Sequence, residues 1–145
     1  MSDKPFISLD GVVPLGVKPD GSQYRVLLVD DSVFIIKQLQ QILSSEGFMI
    51  AGTASNGREG LDRFKEFYPN VDLVTLDITM PDMDGLACLE ELLAFDKKTK
   101  VVMVSAVGKE EKVKKALLLG AKNFIVKPLD RKKIIDRIVQ VLKKE

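Results

Sequence analysis

Four sites, five residues in all, carry side chains suited to phosphoryl chemistry: the pair Asp30-Asp31, then Asp77, Ser105 and Lys127. Each closes a short apolar run: VLLVD at 26–30, VDLVTLD at 71–77, VVMVS at 101–105 and FIVKP at 124–128. Brought together, the three carboxylates repel; two unit charges about 4 Å apart cost roughly 4 kcal/mol at an effective dielectric near 20. Lys127 offsets one charge of three, so a divalent cation is needed for the rest. Hard oxygen donors suit Mg²⁺, with Mn²⁺ as a substitute. A metal among acids either activates water for hydrolysis or steadies a phosphoryl group arriving on a carboxylate nucleophile. The hydroxyl of Ser105 and the ammonium of Lys127 favour the second, because both donate to phosphoryl oxygens.

These groups meet only if the runs that carry them are neighbouring strands. Five runs recur, the fifth being FMIAGT at 48–53, each rich in Val, Ile or Leu and too short for a stable helix. Near-continuous apolar character predicts strands covered on both faces, as in a parallel sheet. Helical patterns separate them. Ser32 precedes Ile35, Leu39, Ile42 and Leu43, with Gly47 as the stop. Asn56 and Glu59 read as a capping box ahead of Leu61, Phe64 and Phe67, with Pro69 ending the helix. Leu86, Leu89, Leu92 and Leu93 form a third stripe, and Val113, Ala116 and Leu117 a fourth, closed by Gly120. Asp130 caps a fifth carrying Ile134, Ile135, Ile138, Val141 and Leu142. Strand then helix, five times, predicts an α/β doubly wound five-stranded parallel sheet, flavodoxin-like, in the order 2-1-3-4-5. In such sheets ligands bind beyond the carboxyl ends of the strands, beside the switch point, where the acids, Ser105 and Lys127 are expected.

Composition narrows the function. Hydrophobic residues at 46% and charged residues at 30% describe an ordinary globular chain of one-domain size. A net charge of +1 gives no electrostatic case for nucleic acid. No apolar segment approaches the roughly 18 residues of a membrane span, and the N-terminus MSDKPFISLDG lacks the pattern of a secretory signal. The absence of histidine excludes His-ligated metals, Ser-His-Asp triads and a phosphohistidine on this chain. Cys88, the lone cysteine, falls among apolar helix positions and reads as a small core residue in a reducing, cytoplasmic setting.

The ordered set at the strand ends resembles the receiver domain of two-component response regulators. Its members are Asp30-Asp31, Asp77 with Met80-Pro81 and Asp84-Gly85, Ser105-Ala106, and Lys127-Pro128. The likeness is strongest to the single-domain chemotaxis regulators of the CheY group, in DITMPDMDG, VSAVGKEEKV and GAKNFIVKP. It covers residues 24–145 and leaves no room for an output domain; residues 1–23 are expected to be an extension, a hairpin or partly disordered. The resemblance implies Asp77 as phosphoacceptor. It implies Mg²⁺ on Asp31, Asp77 and the main-chain carbonyl of Thr79, with Asp30 acting mainly through water. It further implies Lys127 on a phosphoryl oxygen with a cis bond to Pro128, Ser105 turning toward the phosphate, and Phe124 moving inward as its aromatic partner. The partners it implies are the histidine kinase CheA, the flagellar motor switch protein FliM and a dedicated phosphatase, met by a cytoplasmic monomer.

Three positions depart from the usual chemotaxis pattern: Phe124 replaces Tyr, Thr79 replaces Asn, and Val107 replaces an acidic residue. The last two flank the path of attacking water, so the phosphoryl lifetime does not transfer from relatives. Plainer readings stand beside the sharp ones. Asp30-Asp31 alone reads as a solvated N-terminal cap, Ser105 as a turn cap, and Lys127 as a surface lysine. Asp82 and Asp84 fit turn and cap positions, with Gly85 allowing an unusual backbone. Lys109, Lys112, Lys114 and Lys115 read as a solvated helical face. Two other functions share the site: a phosphorelay or phosphate-sink receiver, and a small Mg²⁺-dependent phosphatase with an aspartyl intermediate. Flavin binding is disfavoured, because the acids repel a phosphate when no metal is present.

Overall fold

The computed structural model describes residues 14–144. The order is β1 (Arg25–Val29), α1 (Val33–Ser45), β2 (Met49–Ala54), α2 (Gly57–Phe67), β3 (Leu73–Leu76), α3 (Gly85–Phe95), β4 (Val101–Ser105), α4 (Glu110–Leu119), β5 (Asn123–Val126) and α5 (Arg131–Lys143). The strands form one sheet in the order β2-β1-β3-β4-β5, and every neighbouring pair is parallel. The chain therefore winds outward in two directions from β1, opening a crevice between the carboxyl ends of β1 and β3.

Side-chain alternation along each strand feeds two apolar layers, one per sheet face. Val26 and Leu28 of β1, Leu73 of β3 and Val102 and Val104 of β4 join Leu39 and Leu43 of α1 and Ile134, Ile135 and Ile138 of α5. Leu27 and Val29, Val74 and Leu76, and Val101 and Met103 point the other way, onto Phe64 of α2, Leu89 and Leu92 of α3 and Ala116 of α4. Each fully buried Leu, Ile or Phe contributes about 1.5–3 kcal/mol of transfer free energy, so neither layer is dispensable.

The helix starts follow the caps. Ser32 Oγ accepts from the Ile35 N–H, Asn56 Oδ1 from Glu59, Asp84 Oδ1 from Ala87 and Asp130 Oδ1 from Lys132. The Asn56–Glu59 box is half closed, because the Glu59 carboxylate accepts from the Ser55 hydroxyl. Leu117 leaves its expected stripe: it and Leu118 are exposed, and Ala116 is fully buried with Val113 and Leu119 packed beside it against the core. The face that α4 presents to the core runs through Val113, Ala116 and Leu119 and is turned away from Leu117.

Residues 14–24 fold back at the start of β1. An antiparallel bridge joins Val17 to Gln23 around the Lys18–Gly21 turn, and the Gly16 N–H donates to the carbonyl of Glu46, which caps the end of α1. Val17 is buried there. The apolar pair Val12-Val13 lies outside the described residues. No helix among the described residues is long and apolar enough to cross a membrane.

Candidate functional site

Asp30 extends β1 by one residue, its N–H donating to Ala54 O of β2 at 3.0 Å, and the chain then turns into α1. Asp77 does the same after β3, donating to Val29 O at 3.1 Å. Parallel pairing of β1 with β3 thus carries both acids to one edge, side by side. Their carboxylates are held by local backbone: Asp30 Oδ1 accepts from the Ser32 N–H at 2.9 Å and Asp77 Oδ1 from Ile78 at 2.7 Å. Both acids are buried, at 3% and 5% exposure, whereas Asp31 faces solvent. Carboxylate oxygens of Asp30, Asp31 and Asp77 lie within 4.8 Å of one another.

Lys127 closes the cluster from β5. Its Nζ stands 2.9 Å from Asp30 Oδ2 and 3.4 Å from Asp77 Oδ2. The bond from Lys127 to Pro128 is cis, and the Lys127 N–H donates to Ser105 O, tying the lysine to the end of β4. Burial pushes the Asp30 carboxyl above the ordinary range; the Lys127 ammonium and the Ser32 N–H oppose this, and the charge of Asp77 reinforces it. Asp30 Oδ2 has the ammonium close by but receives no aligned hydrogen bond. That oxygen is buried with spare acceptor capacity, beside two further hard donors, and one lysine cannot neutralise three acids. The residues therefore fit a divalent cation of the Mg²⁺ type.

Ser105 is fully buried, and its Oγ accepts from the Val107 N–H at 3.2 Å, so in this conformation the hydroxyl serves its own loop. Phe124 is 5% exposed and already packed in the core layer with Met103 and Ala116. Thr79 is exposed in the loop after Asp77.

The β3–α3 loop holds what the sequence reading misplaced. The unusual backbone belongs to Asp82, at φ 66°, and not to Gly85, which opens α3 in ordinary helical geometry. Gly85 is required for a different reason. A Cβ there would overlap the carbonyl oxygen of Asp77, and the Gly85 N–H donates to Ile78 O at 2.7 Å. The start of α3 is thereby pressed against the acid's own backbone. Gly57 plays a related part from α2: its N–H donates to Met83 O, at a distance no side chain would permit. Neither approach has a local sequence signal, since Asp84-Gly85 and Asn56-Gly57 read equally well as cap dipeptides. Asp84 does cap α3, in agreement with its structural reading.

Comparisons with known proteins agree with this geometry. The family model described as the response regulator receiver domain matches residues 26–139. The chemotaxis protein CheY of Treponema pallidum is 59% identical over 143 residues, covering 99% of each chain. The CheY of Thermotoga maritima is 40% identical, covering 82% of this chain and 98% of its own. Among solved structures, a CheX-CheY-BeF3-Mg complex from Borrelia burgdorferi superposes with a TM-score of 0.90 at 54% identity, covering 92% of this chain and all of the matched one.

Proposed function

This chain belongs to the response regulator receiver domain family and is CheY-like, and from that premise we propose that it is a stand-alone phosphorylation switch of chemotaxis. One observation carries the reading: Asp77 is buried with carboxylate oxygens of Asp30 and Asp31 within 4.8 Å, and the Lys127 ammonium stands between two of the three. This arrangement supports Asp77 as the nucleophile, the three acids as a cation site and Lys127 as the donor to a phosphoryl oxygen.

In the proposed reaction an Asp77 carboxylate oxygen bonds to phosphorus as the bond from phosphorus to the imidazole nitrogen of a kinase phosphohistidine breaks. An acyl phosphate results, and the imidazole leaves. Asp30, Asp31, Asp77 and the Thr79 carbonyl would hold Mg²⁺, which neutralises the carboxylates and the incoming phosphoryl oxygens. Lys127 exchanges its carboxylate contact for a phosphoryl oxygen. Ser105 releases the Val107 N–H and donates its hydroxyl to another. The added charge of about −1.5 to −2 makes such exchanges favourable. Moving a switch from 1:99 to 99:1 takes about 5.5 kcal/mol of differential stabilisation, which a few charge-assisted bonds of about 1.5–3 kcal/mol each can supply. Phe124 is already packed inward and has no hydroxyl to pair, so the β4–α4 loop carries most of the change.

The kinase is of the CheA type, the target is the motor switch protein FliM, and the setting is the cytoplasm. A CheX-like protein is the dephosphorylating partner, supported by the Borrelia relative solved with CheX. Treatment with acetyl phosphate, or with beryllofluoride and Mg²⁺, followed by titration with a FliM N-terminal peptide, tests the reading. Mg²⁺-dependent modification at Asp77 and tighter peptide binding are expected. Modification without any gain in peptide binding would instead indicate a relay or phosphate-sink receiver. Turnover of phosphate esters that survives Asp77→Asn would indicate a phosphatase.

A further inference from the structure

The amino edge of the sheet, opposite the acids, carries a charge pattern that phosphorylation does not use. Lys100 and Lys122 stand immediately before β4 and β5, Lys97 and Lys98 lie in the α3–β4 connection, and Lys144 follows α5. With Val141 of α5 they line a concave groove of about 690 Å³. Lys100 is committed to the frame, its Nζ donating to the carbonyls of Leu142 and Lys144 at 3.1 Å each, which ties the last turn of α5 to β4. Lys97, Lys98, Lys122 and Lys144 have no carboxylate within ion-pair distance among the described residues. Asp96, the acid beside the turn, is already engaged: its carboxylate accepts from the Tyr68 hydroxyl at 2.7 Å and the Lys98 N–H at 2.9 Å.

A chain of net charge +1 has no general basicity to account for this. The charge is segregated, and segregated charge around a concavity attracts a complementary ligand. We propose that this groove docks an acidic peptide segment of a partner protein, whether or not Asp77 is phosphorylated. Val141 and the aliphatic stems of the lysines accept an apolar side chain, while their ammonium groups meet carboxylates around it. Nucleotides and polyphosphates are better held by guanidinium forks or backbone N–H nests, and no arginine lines the groove. A lipid surface suits a convex face with inserting apolar residues, and this face is concave. Strands of four or five residues separate the groove from the acids, a span of roughly 15 Å at about 3.3 Å per residue. Occupancy of one end thus leaves the other free.

The test uses the ¹⁵N-labelled full chain and a synthetic peptide of Asp, Glu and Leu residues. Saturable amide shifts at residues 97–100, 122–123 and 140–144 are expected, weakening with salt and giving the same affinity with or without beryllofluoride and Mg²⁺. The triple substitution Lys97→Glu, Lys98→Glu, Lys122→Glu should lower that affinity by about tenfold or more while leaving phosphorylation from acetyl phosphate unchanged. Reversal of Lys132 and Lys133 on the outer face of α5 should leave the affinity unaltered. Any of four results overturns the proposal: no saturable shift in the groove, an affinity untouched by the triple reversal, dependence on beryllofluoride, or tighter groove binding of polyphosphate or phosphatidylserine vesicles than of the peptide.

Discussion

At the carboxyl edge of the sheet three acids crowd around one lysine; at the amino edge five lysines line a groove whose neighbouring acid is already bonded elsewhere. The two edges differ in how their charges are held. Asp30 and Asp77 are buried, each carboxylate is fixed by a backbone N–H, and both sit one residue beyond a paired strand. Burying like charges in this way is costly, and the cation and phosphoryl group of the proposed function would offset that cost. The lysines Lys97, Lys98, Lys122 and Lys144 are exposed on flexible stems, where solvent screens them and their mutual repulsion is small. Rigid buried charge is what the proposed transfer would need, and exposed charge what the proposed docking would need.

Substitutions that act on one edge and spare the other sharpen this contrast. The largest effect is expected from Asp77→Asn, which should reduce Mg²⁺-dependent uptake from acetyl phosphate to background by intact-mass analysis. Modification persisting at the parent level would move the acceptor to Asp30 or Asp31. Gly85→Ala comes next, because its Cβ meets the Asp77 carbonyl oxygen. About 3 kcal/mol of stability should be lost in urea unfolding, and an unchanged midpoint would show that α3 can shift away from the acid.

Lys127→Met removes the one cation facing Asp30 and Asp77 among the described residues. Stability in EDTA should fall by about 1–3 kcal/mol, and Mg²⁺ should restore more in the variant than in the parent. Equal Mg²⁺ stabilisation of the two would mean that the lysine and the metal do not share these charges. The triple lysine reversal at the amino edge should, by contrast, stay within about 0.5 kcal/mol of the parent in the same unfolding experiment.

The smallest effect concerns Tyr68 and Asp96. The Lys98 N–H first, and then the Tyr68 hydroxyl, hold the Asp96 carboxyl below 3.8, while the bond to Asp96 raises Tyr68 above 10.0. The folded chain thus binds fewer protons at Asp96 than the unfolded chain does. The stabilisation from this acid is complete above about 3.8 and is lost as pH falls through the lower folded value. Tyr68 has the opposite sense: its stabilisation is complete below 10.0 and is lost as pH rises through the higher folded value. The Tm difference between the parent and Tyr68→Phe should therefore be widest between those limits and narrow at both extremes. A difference that does not vary with pH would show that the bond contributes nothing.

Much of this was legible in the residues. The apolar runs around Leu27, Val74 and Val102 predict strands buried on both faces, and alternation delivers their side chains to two layers. Ser32, Asn56, Asp84 and Asp130 mark helix starts through local hydrogen bonds that need no distant partner. The site was legible as a set of acids, hydroxyl and lysine at strand ends. Leu117 was misread because the face a helix buries depends on what lies opposite, and the core meets Val113, Ala116 and Leu119 instead. Gly85 was misread because a steric demand made by Asp77, eight residues earlier, leaves no trace in local composition.

Sequence alone determines the succession of strands and helices, the chemical inventory at the strand ends and the absence of any histidine, because these follow from periodicity, capping and residue type. Tertiary structure alone decides that the Lys127 ammonium stands between Asp30 and Asp77, that Ser105 bonds to Val107, and that Phe124 lies inward. It also decides that lysines scattered from 97 to 144 share one groove. The physical reason is common to all of these: each is a distance between elements far apart in the chain, set by how strands pair and helices pack.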